Sequence, residues 1–561
     1  MIIRVSYHLA SFGSRASGNC MGGRLSSLAN RPANPRETQK NMPNFYVRTA
    51  ATGTGDGSDW NNAFTEFANI NWVSVRSGDN IWVAGGNYQA LPINKGGVAG
   101  QPIQILRAIS SDAVPVAAPG WSPSFATTQI VINAVGGVGI TIGALSSPVR
   151  YVTLDGRSAP IGLASAFLVK WGNTGGSGGG EAGVWSGNNP TDHIVLKNIS
   201  CISIWPGISA QVGDMRGFDI TGTPLKSDYS ISSCEVGGPH DTSIFFAVNA
   251  GVFNNMLIEG CLLHDSGTGN PGVMHPNVIS FGECTNVTVR NNRCYNFTVE
   301  GIFLNFNTTH AWIYGNCLFG AADWPSSNAR AFEVDQAANA TDVHIWNNSI
   351  YHLPLGARLD NSTGTISGCE FQNNILVGAS ASFQGGWAHD HNAYDTSNPT
   401  GEPGALYNIV PPFKAPNSGD FHFFGANARG INVGRALINP ATSPPNGATH
   451  SVQLDPDGNT RGGDGLWDMG AYEFLTIPVS GGGGGSGGSG SGQAGAVTPP
   501  SKASTPIAKS YVTAYPPPSH SKTHSVKSFI DGWPAPTTPS PRGRCKSYVD
   551  GYPPSAQPAN S

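Results

Sequence analysis

VLKNISC (195–201), YSISSC (229–234), MLIEGC (256–261), VTVRNNRC (287–294) and AWIYGNC (311–317) are five versions of one phrase. Each alternates apolar and polar residues over a strand's length, then passes through Asn, Gly or Ser to a cysteine. Cys201, Cys234, Cys261, Cys294 and Cys317 thus recur at steps of 33, 27, 33 and 23 residues. VHIWNNSI (343–350) and EFQNNILVG (370–378) continue the phrase without the cysteine. Self-similarity at this period marks a solenoid. Strand-sized pieces with no helix-length apolar periodicity between them select a β-solenoid over a helical repeat. One coil cannot bury its own inward residues. Coils stacked about 4.8 Å apart pair every strand above and below.

The five cysteines are expected at one position, filling an internal row as small apolar thiols. No CxxC pair or zinc-finger Cys/His spacing occurs, and the odd total of nine argues against an obligatory disulfide framework. The repeated asparagines are expected to stack as an amide ladder, their tolerance of left-handed backbone setting the corner.

Composition agrees. The 561 residues hold 74 Gly and 41 Pro with few charges, which suits many short strands joined by tight turns. Net charge is −4. Residues 1–41 carry six Lys/Arg against one acid and residues 501–561 seven against two, so each end is +5 and the body −14. An acidic body repels nucleic acid. No apolar run is long enough for a membrane span.

The opening NFYVRTAATGTGDGSDWNNAF (44–64) with GDNIWVAGGNY (78–88), and the closing LDPDGNTRGGDGLWDMGAYEF (454–474), resemble the first and last elements of the right-handed parallel β-helix superfamily. That superfamily includes pectate lyases, alginate lyases, chondroitinases and phage tailspikes. The resemblance covers about three quarters of the chain. It implies an all-β, right-handed parallel β-helix followed by a flexible, mostly disordered tail. A homotrimer is implied by analogy only. The fold hosts many functions, so activity must be argued from the site.

The expected organisation is a disordered extension (1–41), a β-helix domain (42–476), a Gly/Ser-rich linker (477–500) and a Pro-rich basic tail (501–561). The beginning, MIIRVSYHLASFG, lacks the apolar core of a secretory signal. The β pattern starts directly after Met42, which makes that residue a candidate start. The tail holds KSYVTAYPPP (509–518), KSFIDGWPAP (527–536) and KSYVDGYPPS (546–555). Tyr511, Tyr515, Phe529, Trp533, Tyr548 and Tyr552 are its candidate partner-binding residues, because three aromatic copies on a tether give avidity for a repeated partner. That partner's identity is open, and so is low-complexity drift with no partner.

Aligning GIFLNF (301–306), AFEVDQ (331–336) and GARLDN (356–361) puts Asn305, Asp335 and Asp360 in one column and Phe303, Glu333 and Arg358 in another. Glu333, Asp335, Arg358 and Asp360 form the candidate catalytic patch, with Asn305, Arg330 and His264 as candidate substrate-binding residues. Paired carboxylates suit glycoside hydrolysis. A cation beside a base suits a uronate lyase, and Arg358 or Arg330 could be that cation. The alternative is an ion-pair ladder in which Arg358 bridges the acids. His240–Asp241, His264–Asp265 and His389–Asp390 are adjacent pairs, which extended chain sends to opposite sides. Trp324, Trp346 and Trp387 are candidates for stacking on sugar rings, or for the core. Ca²⁺ could be held by Asp457, Asp464 and Asp468, but turn capping explains these residues as well. No cofactor or metal is required.

Two functions fit. One is an extracellular or virion-associated protein that binds a surface polysaccharide and cleaves it as a lyase or hydrolase, like a tailspike or depolymerase. The other is a noncatalytic rod displaying an adhesive tail. If Met42 is the start, N-terminal sequencing of the mature protein returns a chain without residues 1–41; finding that segment refutes the assignment.

Overall fold

The computed structural model describes residues 43–475, apart from 144–147, 158–166, 173–180, 188, 205–214, 223–225, 239, 249–251, 268–275, 322–326, 336–337, 361–362, 397–400 and 438–451. Residues 1–41, the linker, the tail with its six aromatics, and Trp324 lie outside the described residues.

Each repeated phrase is extended chain broken by residues with left-handed backbone, so it turns at fixed intervals. Among the described residues three parallel sheets result, of 13, 11 and 10 strands. The first runs from Asn44–Val47 to Trp387–Asp390, the second from Gly86–Tyr88 to Ala393–Tyr394, and the third from Leu91–Ile93 to Ala381–Phe383. A coil visits them in that order, and a strand typically pairs with those three places away in sequence. This is the expected parallel β-helix. Crossovers between parallel strands are right-handed with few exceptions, which sets the hand of the coil.

Register makes the core continuous. Val152, Ile194, Tyr229, Met256, Val287, Ala311 and Val343 stand one above another in the first sheet, and all are buried. Burying one such large side chain stabilises by about 1.5–3 kcal/mol. Halfway along these strands lies a column of positive-φ residues: Tyr151, His193, Asp228, Asn255, Asn286, His310 and Asp342. The first sheet therefore bends from its Val149–Asp155 strand to its Ala340–Trp346 strand.

At the corner between the first and second sheets two columns share the work expected of one. Asn291, Gly315, Asn347, Asn373 and His391 take the left-handed conformation, with φ between 50° and 68°. The next residues, Asn292, Asn316, Asn348, Asn374 and Asn392, are wholly buried and form the amide ladder. The Nδ2 of each of the first four donates to the Oδ1 of the following asparagine at 3.0–3.1 Å. Each also donates to a main-chain carbonyl of the preceding coil. Glu402 ends the ladder, its Oε1 accepting from Asn392 N and Nδ2.

The cysteines do not share one position. Cys261 N donates to Asn292 Oδ1, so Cys261 stands one coil below the amide ladder, in line with it. Cys294 pairs with Leu318 and lies in the inward row, whereas Cys317 pairs with Arg293, one residue earlier. The one-residue difference between NNRC and GNC turns Cys317 outward, where it is buried against the C-terminal segment. The seven described cysteines are free and buried, and burial pushes the Cys317 thiol up to about 12.

That segment departs from expectation too. Phe413, Phe421, Phe423, Met469 and Tyr472 pack against Phe319, Tyr351 and Val377, along the flank of the second sheet rather than across the end of the coil. Ala471 N donates to Ser349 Oγ at 3.0 Å and Gly470 N to Asn373 O at 2.7 Å. Gly470 has φ 82°, and a Cβ there would lie 2.8 Å from Ile375 Cδ1. Among the described residues no helix is long and apolar enough to cross a membrane.

Asn348→Ala removes the acceptor of Asn316 N and Nδ2, stranding the main-chain donor in the core and leaving Nδ2 only its bond to Val289 O. Denaturant unfolding is expected to show a loss of about 3 kcal/mol. Cys294→Ala, which leaves the ladder intact, should cost clearly less.

Candidate functional site

The third sheet sends Ile244, Phe246, Ile279, Phe281, Ile302, Leu304, Phe332 and Val334 into the core and two columns outward; the first follows strand alternation, and the second lies beyond a break in it at Gly301 and Ala331. One holds Asp219, Phe245, Ser280, Phe303, Glu333 and Arg358 in register. The other holds Arg216 beside Thr242 and Glu300 beside Arg330. Asn277 falls between them, since Ser243 N donates to Asn277 O and Val278 N to Glu300 O.

The alignment of Phe303, Glu333 and Arg358 is therefore present in the structure. Glu333 is 3% exposed. Its Oε2 is bound by Arg330 Nη1, and its Oε1 lies 3.6 Å from Arg358 Nη1. The Arg358 side chain is 40% exposed, so it is the part of the cluster that solvent reaches most freely. Asn305, Asp335 and Asp360 stand just past the strand ends. Asp335 N donates to Leu304 O at 3.0 Å, and exposed Asp360 accepts from Ser382 Oγ at 2.8 Å.

The sequence reading missed Glu300. It occupies the place of Arg330 one coil earlier, is also 3% exposed, and its Oε1 lies 3.5 Å from Arg330 Nη1. Burial first, then the nearby Glu333 carboxylate, raise the Glu300 carboxyl to about 8 against the opposing pull of Arg330. Glu300 is thus a carboxylic acid that keeps its proton at neutral pH. The signal was present, since TVEGIFLN aligns Glu300 with Arg330, but the alignment began one residue too late.

His264 lies on the second sheet, not with these acids. It stacks on Tyr295 at 4.8 Å, and its Nδ1 lies 2.8 Å from Asp265 Oδ2 and its Nε2 3.4 Å from Glu235 Oε1. Burial would lower its pKa, but the two carboxylates overcome that and raise it to about 9. The His264–Asp265 pair does couple, because Asp265 has φ 65° and the chain is no longer extended there. His389 turns instead to Glu402 and Asp390 to Arg435. His240 turns to Ser243 and Ser266, and burial lowers it to about 4.

Among the described residues no group of His, Cys, Asp or Glu is arranged to hold a metal ion. Asp457 pairs with His422, Asp464 accepts from Leu466 N, and Asp468 accepts from Asn432 N and Phe474 N. Trp346 is buried beside Trp312 and Trp467, and Trp387 lies in the main core.

No protein-family model matches the sequence, and no curated protein matches it. Among solved structures, the chain is similar to the pectate lyase Pel9A, at 14% identity and a TM-score of 0.40 over 77% of this chain and 97% of that one. An alginate lyase from Paenibacillus sp. str. FPU-7 matches at 14% identity and a TM-score of 0.32, over 61% and 99%. A GH136 lacto-N-biosidase from Eubacterium ramulus matches at 10% and 0.31, over 63% of each chain. The fold stands on the strand topology, and the site on its own geometry.

Glu300 makes stability depend on pH. Its carboxyl is raised from the ordinary 4.5 to about 8, so the native state holds a proton that the unfolded chain releases. Its contribution is fully present below about 4.5 and lost as pH rises through about 8. The melting temperature is expected to fall across that window and to fall less in Glu300→Gln. An unchanged pH slope in the variant would refute this. His264, raised to about 9, adds a loss with the same sign above about 6.5, so the slope should not vanish.

Proposed function

We propose that the protein binds a polysaccharide along the outward face of the third sheet and hydrolyses it, with Glu300 as proton donor. The observation that carries this reading is the buried acid pair on adjacent coils, one member of which stays protonated at neutral pH. Glycoside hydrolysis needs such an acid at the leaving oxygen and a second carboxylate flanking the bond. Glu333, held by Arg330 and Arg358, is the carboxylate. A lyase acting on a uronate polymer fits less well, because the body's charge of −14 opposes a polyanion. The natural setting of this reading is a cell-surface or environmental glycan, met outside the cell or from a virion. The pectate lyase and the alginate lyase among the similar structures suggest two polymers for the test.

Incubation with polygalacturonate, alginate, xylan and a soluble cellulose should release reducing ends without an unsaturated uronate chromophore. Appearance of the chromophore would overturn hydrolysis in favour of elimination. Glu300→Gln and Glu333→Gln should each lower kcat at least about 100-fold, and kcat/KM should fall above about pH 8 in the parent. Arg358→Ala should cost about tenfold.

The tail repeats favour a second reading, a rod whose Tyr511, Tyr515, Phe529, Trp533, Tyr548 and Tyr552 hold a partner. An inert full chain that still adheres to cells, and loses adhesion when ended at residue 480, would support it.

A further inference from the structure

The register of Phe303 with Glu333 and of Glu333 with Arg358 runs on past the strand ends, where Asp335 N donates to Leu304 O at 3.0 Å. Asn305, Asp335 and Asp360 therefore stand in one row, about 4.8 Å apart from coil to coil. Solvent reaches all three. Among the described residues the Asn305 and Asp335 side chains have no partner, and Asp360 accepts only the Ser382 hydroxyl. The row lies about 7 Å along the strands from the Glu333 column, about the length of one sugar unit. Residues 300–305, 330–335 and 356–360 carry six ionisable side chains. Glu300 keeps its proton, so the Glu333 carboxylate faces both Arg330 and Arg358, and these three alone leave +1. Asp335 and Asp360 bring the patch to −1. Without them the acid pair would sit in a field that attracts a uronate; with them the sign is reversed.

We propose that Asp335 and Asp360 determine specificity in the proposed hydrolase, excluding acidic sugars from the unit beside the acid pair and admitting neutral ones. The inference rests on the acid-pair reading and names the class of glycan it would act on. A uronate carboxylate in that unit meets two carboxylates that have no cation of their own, and Coulomb repulsion at a few ångströms opposes it. A sugar hydroxyl in the same place donates to either carboxylate without that penalty, and the Asn305 amide beside them both donates and accepts. Selectivity of this kind comes from a repulsive element rather than from added contacts. Asp335 and Asp360 are specificity-determining residues, while Glu300 and Glu333 act on the bond.

The test is affinity electrophoresis of the full chain on polymer pairs that share a backbone and differ in charge: polygalacturonate and its methyl ester, and carboxymethyl and hydroxyethyl cellulose. The parent should bind the neutral member of a pair at least about tenfold more tightly, and salt at about 0.5 M should narrow the preference. Asp335→Asn/Asp360→Asn, which makes the patch +1, should abolish or reverse it. Asp56→Asn/Glu66→Gln, the same change in net charge at the opening coil, should leave it intact. Asn at 360 still offers Ser382 an acceptor and Asp335 has no side-chain partner to lose, so the melting temperature should hold. If the double variant does not fold, Asp335→Asn alone should show an intermediate preference, and a parental one there overturns the proposal. A folded double variant with the parental preference overturns it too, even if Glu300→Gln is inactive. Loss of the preference in Asp56→Asn/Glu66→Gln as well overturns it, because the effect then belongs to the total charge. Loss in the Asp335/Asp360 variant alone, beside an undiminished Glu300→Gln, supports the exclusion and overturns the acid-pair reading. A parent retarded by neither member of either pair overturns both.

Discussion

A row of buried side-chain amides holds this molecule in register. Asn292, Asn316, Asn348, Asn374 and Asn392 each bind the coil above and the coil below with every polar atom satisfied. An amide is suited to this because it donates and accepts at once, and its length matches the spacing between strands. A hydrophobic side chain at the same corner would fill space equally well but would tolerate a slip. A slip of one residue would send every inward side chain outward.

Register fixed at the corner is carried round the coil to the third sheet, and there it brings two acids together. Glu300 and Glu333 stand about one coil spacing apart through backbone pairing, whatever their charges prefer. Two carboxylates that close, both buried, cannot both ionise at low cost. One proton is therefore retained, on Glu300, and Arg330 offsets the charge that remains. The perturbed acid is a product of fold geometry before it is a property of any substrate.

The fold was legible because its signal repeats. Seven copies of a strand-corner phrase show a coil, and the Phe303, Glu333 and Arg358 alignment needs only the period. What escaped depended on offsets of a single residue. Cys294 and Cys317 look equivalent until NNRC is compared with GNC, and that difference sends one thiol inward and the other out. Glu300 was passed over for the same reason. The union of His264 with Asp265 depends on a positive φ, which an alternation rule excludes. The lateral docking of the closing segment was invisible, since the contacts of Phe421 and Gly470 with the second sheet span about a hundred residues and no local pattern announces them.

Glu402 gives the amide row a definite end. With two acceptor oxygens and no donor, a carboxylate can receive from Asn392 but has nothing to pass on. Its other oxygen takes the Tyr394 hydroxyl and His389, so the position is committed to closure. The row thus has a direction and a stop, while its interior units are interchangeable. Such a chain can lengthen or shorten by whole coils through internal duplication or deletion, provided the coils that seat the closing segment are kept. No new terminus has to be invented. The span of the β-helix, and with it the length of its outward faces, becomes a quantity that inheritance can adjust in steps.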